Sequence, residues 1–94
     1  MENLTVYTSD VNNEESRKQV TYEACLSTAE RIIKNYINSN KEFFEKNKYK
    51  NVTVEFVYGS RILDHTELYF FTESGEELAS DSLSLKQYGE LAKE

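Results

Sequence analysis

His65 is the residue of this chain best suited to acid–base chemistry, because it is the only histidine and its neighbours include Asp64 and Glu67. A histidine flanked by carboxylates can transfer protons, and the three side chains together can bind a divalent metal. Metal sites usually draw three or four ligands at recognisable spacings, and no cysteine lies nearby to complete such a set. We therefore interpret His65 as an exposed loop histidine in an acidic setting, and we expect neither a catalytic residue nor a metal site.

Cys25, the only cysteine, falls on the apolar side of a long predicted helix. A thiol on such a face is predicted to be buried and inert, since reactive cysteines lie in exposed, electropositive surroundings. The three glycines are isolated from one another and cannot form a phosphate-binding loop. We accordingly predict a protein that is not an enzyme and holds no cofactor.

The acidic residues are distributed unevenly. Between Ile62 and Leu85 there are six carboxylates and no lysine or arginine. The net charge of −6 is divided as −4 over residues 1–16, +4 over 17–50 and −6 over 51–94. The six carboxylates, which we predict to bind a partner, belong to Asp64, Glu67, Glu73, Glu76, Glu77 and Asp81.

Such an acidic stretch has two interpretations. It can simply keep the surface soluble and protect exposed strand edges from aggregation. Alternatively, it can present negative charge to a basic partner. Alternate residues on a strand lie roughly 6.6–6.8 Å apart, about twice the charge spacing of one DNA strand. A sheet that carries glutamates could therefore mimic a nucleic acid.

The segment from Lys41 to Lys50 is the one basic and aromatic stretch, with Phe43, Phe44 and Tyr49 among its lysines. Such a stretch can bind phosphates and stack on bases. The isoelectric point of about 4.8 argues against direct nucleic-acid binding. We interpret the segment as a solvated helix end whose two phenylalanines close the core.

Hydrophobic periodicity predicts an α+β fold. The long helix should run from about Glu14 to Asn38, with Asn12 and Glu15 resembling a capping box. The residues of its apolar stripe are Tyr22, Cys25, Leu26, Ala29, Ile32, Ile33, Tyr36 and Ile37. The other predicted elements are strands over 4–8, 51–58, 67–72 and 76–80, and helices over 41–48 and 85–93.

These elements give the order β-α-(α)-β-β-β-α, with an antiparallel sheet of three or four strands. Residues 1–94 should form one domain. The N-terminus has no secretory signal and no apolar run is long enough to cross a membrane, so we expect a cytoplasmic protein.

We predict a binding protein that occupies a basic surface of a larger partner, such as a nuclease or another nucleic-acid-handling protein. Small size, acidity and residue usage typical of AT-rich genes suit an inhibitor from a phage or plasmid, such as an anti-CRISPR. One alternative is a self-associating module, such as a homodimer, that uses Tyr69 and Phe71. The other is a nucleic-acid binder that uses Lys41–Lys50.

Overall fold

The computed structural model describes residues 3–19 and 23–94, which form an α+β fold, as predicted. The elements are β1 (Asn3–Asp10), β2 (Asn13–Gln19), α1 (Glu23–Ser39), α2 (Lys41–Lys46), β3 (Asn51–Gly59), β4 (Ile62–Phe71), β5 (Glu77–Leu83) and α3 (Leu85–Leu91). The sheet has five strands in the order β2-β1-β3-β4-β5, so it has more strands than the sequence predicted.

The segment Asn13–Gln19 corrects the predicted start of the long helix, because it is a strand that pairs antiparallel with β1. The tight turn between these strands is closed by Asp10, whose carboxylate accepts a hydrogen bond from the backbone N–H of Asn12 at 2.9 Å. Aspartate side chains commonly form this bond two residues on, and it favours a turn over a helix start. The proposed capping box of Asn12 and Glu15 is therefore wrong.

The sheet is mixed, whereas an antiparallel sheet was predicted. β1 and β3 run parallel, with Val6 beside Val54, while the other neighbouring pairs are antiparallel. Parallel neighbours need a long crossover connection. Here that connection contains β2, α1 and α2, so β3 returns beside β1.

Strand β4 begins at Ile62, earlier than the predicted start at Glu67, and so His65 lies in a strand and not in a loop. The turn before it uses Ser60 and Arg61 at φ of 52° and 72°, the left-handed region that two-residue hairpin turns require. Between the pairs Val57–His65 and Tyr58–Leu63 the register shifts, which leaves Asp64 as the extra residue of a bulge. This bulge interrupts the alternation that marks a strand in the sequence.

The predicted stripe of α1 covers one face of the sheet. Ala29, Ile32 and Ile33 are fully buried against Val6, Val54 and their inward-facing neighbours. Cys25 and Tyr36 pack against the same core but are only partly buried, so the predicted burial of the thiol is incomplete. Tyr22 lies outside the described residues.

The short helix α2 contributes one of its two phenylalanines to the core. Phe44 contacts Tyr36, Tyr49 and Phe70, with ring centroids 4.7–6.1 Å apart. Phe43 is 41% exposed, so the prediction that both close the core holds only for Phe44.

The last helix begins with a capping box. The Ser84 hydroxyl accepts from the N–H of Gln87, and the Gln87 side chain accepts from the N–H of Ser84. At its other end, Arg31 and Asn35 of α1 donate to the carbonyls of Ala92 and Leu91. These bonds hold α3 beside α1 on the same side of the sheet. No helix in the described ranges is both long and apolar enough to cross a membrane.

The buried hydroxyl of Thr66 is expected to reduce the stability of the fold. Its side chain is fully buried on the inward face of β4, and its hydroxyl has no hydrogen-bond partner among the described residues. An unsatisfied buried hydroxyl costs about 1–3 kcal/mol. Thr66→Val should therefore raise the free energy of unfolding by about 1 kcal/mol, as measured by urea denaturation.

Thr53→Val, on the opposite face of the neighbouring strand, is the matched control and should change stability by less than about 0.5 kcal/mol. Destabilisation by Thr66→Val would show that the hydroxyl is satisfied in the folded protein.

Candidate binding surface on the open face of the sheet

The two sides of the sheet differ because the helices all pack on one of them. Side chains alternate along a strand, so Val54 and Phe56 point toward the helices and Glu55 points away. In β4, Leu68 and Phe70 likewise point inward, and Glu67 and its alternate neighbours point outward. We call the outward side, over which no helix packs in the described part of the chain, the open face.

Two carboxylates lie side by side at the centre of the open face. Glu55 of β3 and Glu67 of β4 are directly opposite in the register of the two strands. Their side chains are only 13% and 31% exposed, so water screens them incompletely. Like charges directly opposite each other in a sheet are destabilising, by an amount in the range of roughly 0.2–1 kcal/mol.

Arg17 of β2 partly offsets this repulsion from the side of Glu55. Its Nε lies 3.6 Å from Oε2 of Glu55, and its guanidinium carbon lies 4.1 Å from the centre of the Tyr7 ring. The cation is therefore held between a carboxylate and an aromatic face, an arrangement that suits a planar guanidinium.

Glu67 has separate partners on its own strand. The Tyr69 hydroxyl donates a hydrogen bond to Oε2 of Glu67, and Nε2 of His65 lies 3.3 Å from Oε1. The other ring nitrogen of His65, Nδ1, lies 3.0 Å from Oδ2 of Asp64 at the bulge. His65 thus bridges two carboxylates, and four neighbouring polar side chains of β4 form one chain of contacts.

Aromatic side chains border the acidic pair. Tyr69 and Phe71 stack with centroids 6.5 Å apart and an angle of 23° between their planes. A shallow groove of about 300 Å³ runs across these strands. The residues that line it are Arg17, Thr53, Glu55, Tyr69, Phe71 and Glu77.

The predicted partner-binding residues are not all brought together. Asp64, Glu67 and Glu77 lie on or beside the open face, and Glu73 and Glu76 are exposed in the turn between β4 and β5. Asp81 lies on the helix side, where it accepts a hydrogen bond from the Tyr36 hydroxyl at 3.0 Å. The acidic surface therefore contains five of the six predicted residues, all but Asp81.

Glu55 is the member of this surface that the sequence reasoning missed. The alternation of Val54 and Phe56 places residue 55 on the opposite side of β3, and that signal was available. Its pairing with Glu67 depends on the register between two strands, which the sequence pattern did not supply.

The basic segment lies near the acidic turn. Lys48 and Lys50 line a shallow pocket of about 670 Å³ together with Thr72, Glu73 and Ser74. Nζ of Lys50 is 3.3 Å from Oε1 of Glu73, so part of the positive charge is paired. Among the side chains that the structure describes, no group of three or more from His, Cys, Asp or Glu is arranged to hold a metal ion.

Comparisons with protein families, with curated proteins and with solved structures found no match to this chain.

Two tyrosines that donate to carboxylates are made harder to ionise. The hydrogen bond to Glu67, followed by partial burial, raises the pKa of Tyr69 from 10.0 to about 12. Burial, followed by the hydrogen bond to Asp81, raises the pKa of Tyr36 from 10.0 to about 12. Because folding raises both values, the tyrosines stabilise the fold fully below pH 10, and this stabilisation is lost as the pH rises through about 12.

The Tyr69–Glu67 contact can be tested by alkaline titration. Glu67→Ala removes the carboxylate that favours the protonated phenol, so the pKa of Tyr69 should fall from about 12 toward 10.0. The measurement follows each tyrosine ring by NMR as the pH is raised.

Asp81→Ala is the matched control, because it should lower the pKa of Tyr36 and leave that of Tyr69 unchanged. An unaltered titration of Tyr69 in the Glu67→Ala variant would contradict the contact.

Proposed function

We propose that this chain is a non-enzymatic binding module that docks on a basic surface of a larger protein through the open face and the β4–β5 turn. The observation that carries the proposal is the side-by-side placement of Glu55 and Glu67 on the side of the sheet away from the helices. Two opposed carboxylates do not favour folding. A positively charged partner would turn the same pair into a favourable contact.

The charges around this pair extend the acidic surface. Glu77 borders the groove, and Glu73 and Glu76 continue the negative charge into the turn. A surface of one sign attracts a partner of the opposite sign and increases the rate of association. Docking driven in this way weakens as salt is added.

The aromatic pair supports a protein partner. Tyr69 and Phe71 offer a stacked apolar surface next to the carboxylates, and aromatic residues are enriched in protein interfaces. The position of Arg17, against the Tyr7 ring and beside Glu55, shows how a guanidinium fits on this face. Arginine side chains of a partner could use the groove in the same way.

The class of partner follows from where basic surfaces occur. Proteins that bind nucleic acids carry clustered lysine and arginine, so a nuclease or another nucleic-acid-handling protein suits this acidic face. The narrower idea of an inhibitor carried by a phage or plasmid, such as an anti-CRISPR, rests on size, acidity and residue usage and stays a prediction.

The proposal is tested by neutralising acids on opposite sides of the molecule. One variant carries Glu67→Gln, Glu73→Gln and Glu77→Gln. The matched control carries Glu30→Gln, Glu42→Gln and Glu45→Gln, which are exposed on α1 and α2 and change the net charge equally. Each variant is immobilised and used to capture proteins from host extract, and the captured proteins are quantified by mass spectrometry.

We expect the unaltered protein and the control to retain the same basic protein, and the open-face variant to bind it about tenfold or more weakly. Three charge contacts at on the order of 0.5–1 kcal/mol each account for that loss. Equal retention by both variants would contradict the proposal.

The same experiment separates the two alternatives. If Lys46→Glu, Lys48→Glu and Lys50→Glu together abolished capture and the open-face variant did not, the basic segment would be the binding site. If only Tyr69→Ala with Phe71→Ala abolished association and added salt had no effect, apolar self-association would be the function.

A further inference from the structure

Strand β5 has one free edge. It is the last strand in the order β2-β1-β3-β4-β5 and pairs with β4 alone among the described strands. The helix that follows it packs over the inward face, where Tyr88 contacts Phe56 with ring centroids 6.2 Å apart. Alternate backbone N–H and C=O groups over residues 79–83, where the pairing with β4 is regular, therefore face outward, where a further strand can pair with them.

The two edge strands of the sheet differ in how well their side chains prevent pairing with a further strand. The opposite edge strand, β2, has the sequence NEESRKQ, in which more than half of the residues are charged and one is lysine. β5 has the sequence ELASDSL, with two acids and no lysine, arginine or proline. Charged side chains, lysine especially, and proline are the usual protection against edge pairing. β5 is thus the edge more open to a partner strand.

We propose that β5 pairs antiparallel with β5 of a second copy, about a two-fold axis that passes through Ser80. Identical strands paired in this way place one residue opposite itself. The pairing of β5 with β4 is regular over residues 79–83, and its register shifts at Leu78. With Ser80 at the axis, Ala79 lies opposite Asp81 of the second copy, and Leu78 lies opposite Ser82.

Charge selects this register over its neighbours. An axis through Ala79 would place Glu77 opposite Asp81, and an axis through Asp81 would place that aspartate opposite itself. Like charges directly opposite each other destabilise a strand pair. The register centred on Ser80 avoids both oppositions.

The ends of the ladder are complementary in charge. In an antiparallel pair, the turn before β5 in one copy lies toward the start of α3 in the other. The turn carries Glu73 and Glu76, whereas the first turn of α3 carries Lys86. Opposite charges therefore meet at both ends of the paired strands.

The expected dimer is weak and strengthens with salt. Pairing two edges buries less than the roughly 1,200 Å² found in stable interfaces, so its population should depend on protein concentration. Each copy carries a net charge of −6, and added salt screens their repulsion. Docking on a basic partner weakens as salt is added, whereas the dimer strengthens. The salt dependence therefore distinguishes a failure of one proposal from a failure of the other.

Disulfide trapping tests the register. In a Cys25→Ser background, Ser80→Cys places two thiols opposite each other at the axis, within the Cα separation of about 4.4–6.8 Å that a disulfide spans. Ser82→Cys is the matched control, because Ser82 is also exposed on β5 but would lie opposite Leu78. The two copies of residue 82 would be roughly 13 Å apart along the strand.

We expect Ser80→Cys to form a covalent dimer at least tenfold faster than Ser82→Cys under mild oxidation, as measured on non-reducing gels. Sedimentation of the unaltered protein should show a dimer fraction that rises with salt, and Ser80→Lys should abolish it. Equal cross-linking rates for the two cysteine variants, or a dimer that persists with Ser80→Lys, would overturn the proposal.

Discussion

The rest of the structure depends on the packing of α1 against one face of the sheet. Ala29, Ile32 and Ile33 are fully buried there, and fully burying an isoleucine side chain contributes on the order of 1.5–3 kcal/mol. The other helices join the same layer, because α2 adds Phe44 to that core and α3 is held by Arg31 and side chains near it. With the helices on that side, the second face of the sheet is left for polar and charged residues.

On the open face, each partly buried carboxylate is stabilised by polar neighbours and not by a hydrophobic core. Glu55 is paired with Arg17, and Glu67 is paired with the Tyr69 hydroxyl and His65. Each contact reduces the repulsion between the two carboxylates without removing either charge. Residues that break a local rule of folding often mark a functional site, and this is the physical reason for proposing that this face binds a partner.

The sequence could predict the elements that follow one simple period. The helical spacing of Ile32, Ile33 and their neighbours identified α1, and strict alternation identified β3. The charged strand β2 has no apolar alternation, and the bulge at Asp64 hides the start of β4. The acidic surface was predicted in large part because it is continuous in sequence. Glu55 joins the acidic surface only because the register of β3 and β4 places it opposite Glu67. Local sequence periodicity does not predict which residues of two separate strands lie opposite each other.

The opposed carboxylates Glu55 and Glu67 are kept at a cost to stability. The most direct test compares urea unfolding of Glu67→Gln with the unaltered protein at low and high salt. Glutamine keeps an acceptor for the Tyr69 hydroxyl and removes the charge that faces Glu55. We expect the variant to be more stable by roughly 0.2–1 kcal/mol at low salt, and we expect the difference to shrink as salt is added. A variant that is less stable at low salt would show that the charge of Glu67 supports the fold, and would contradict the account.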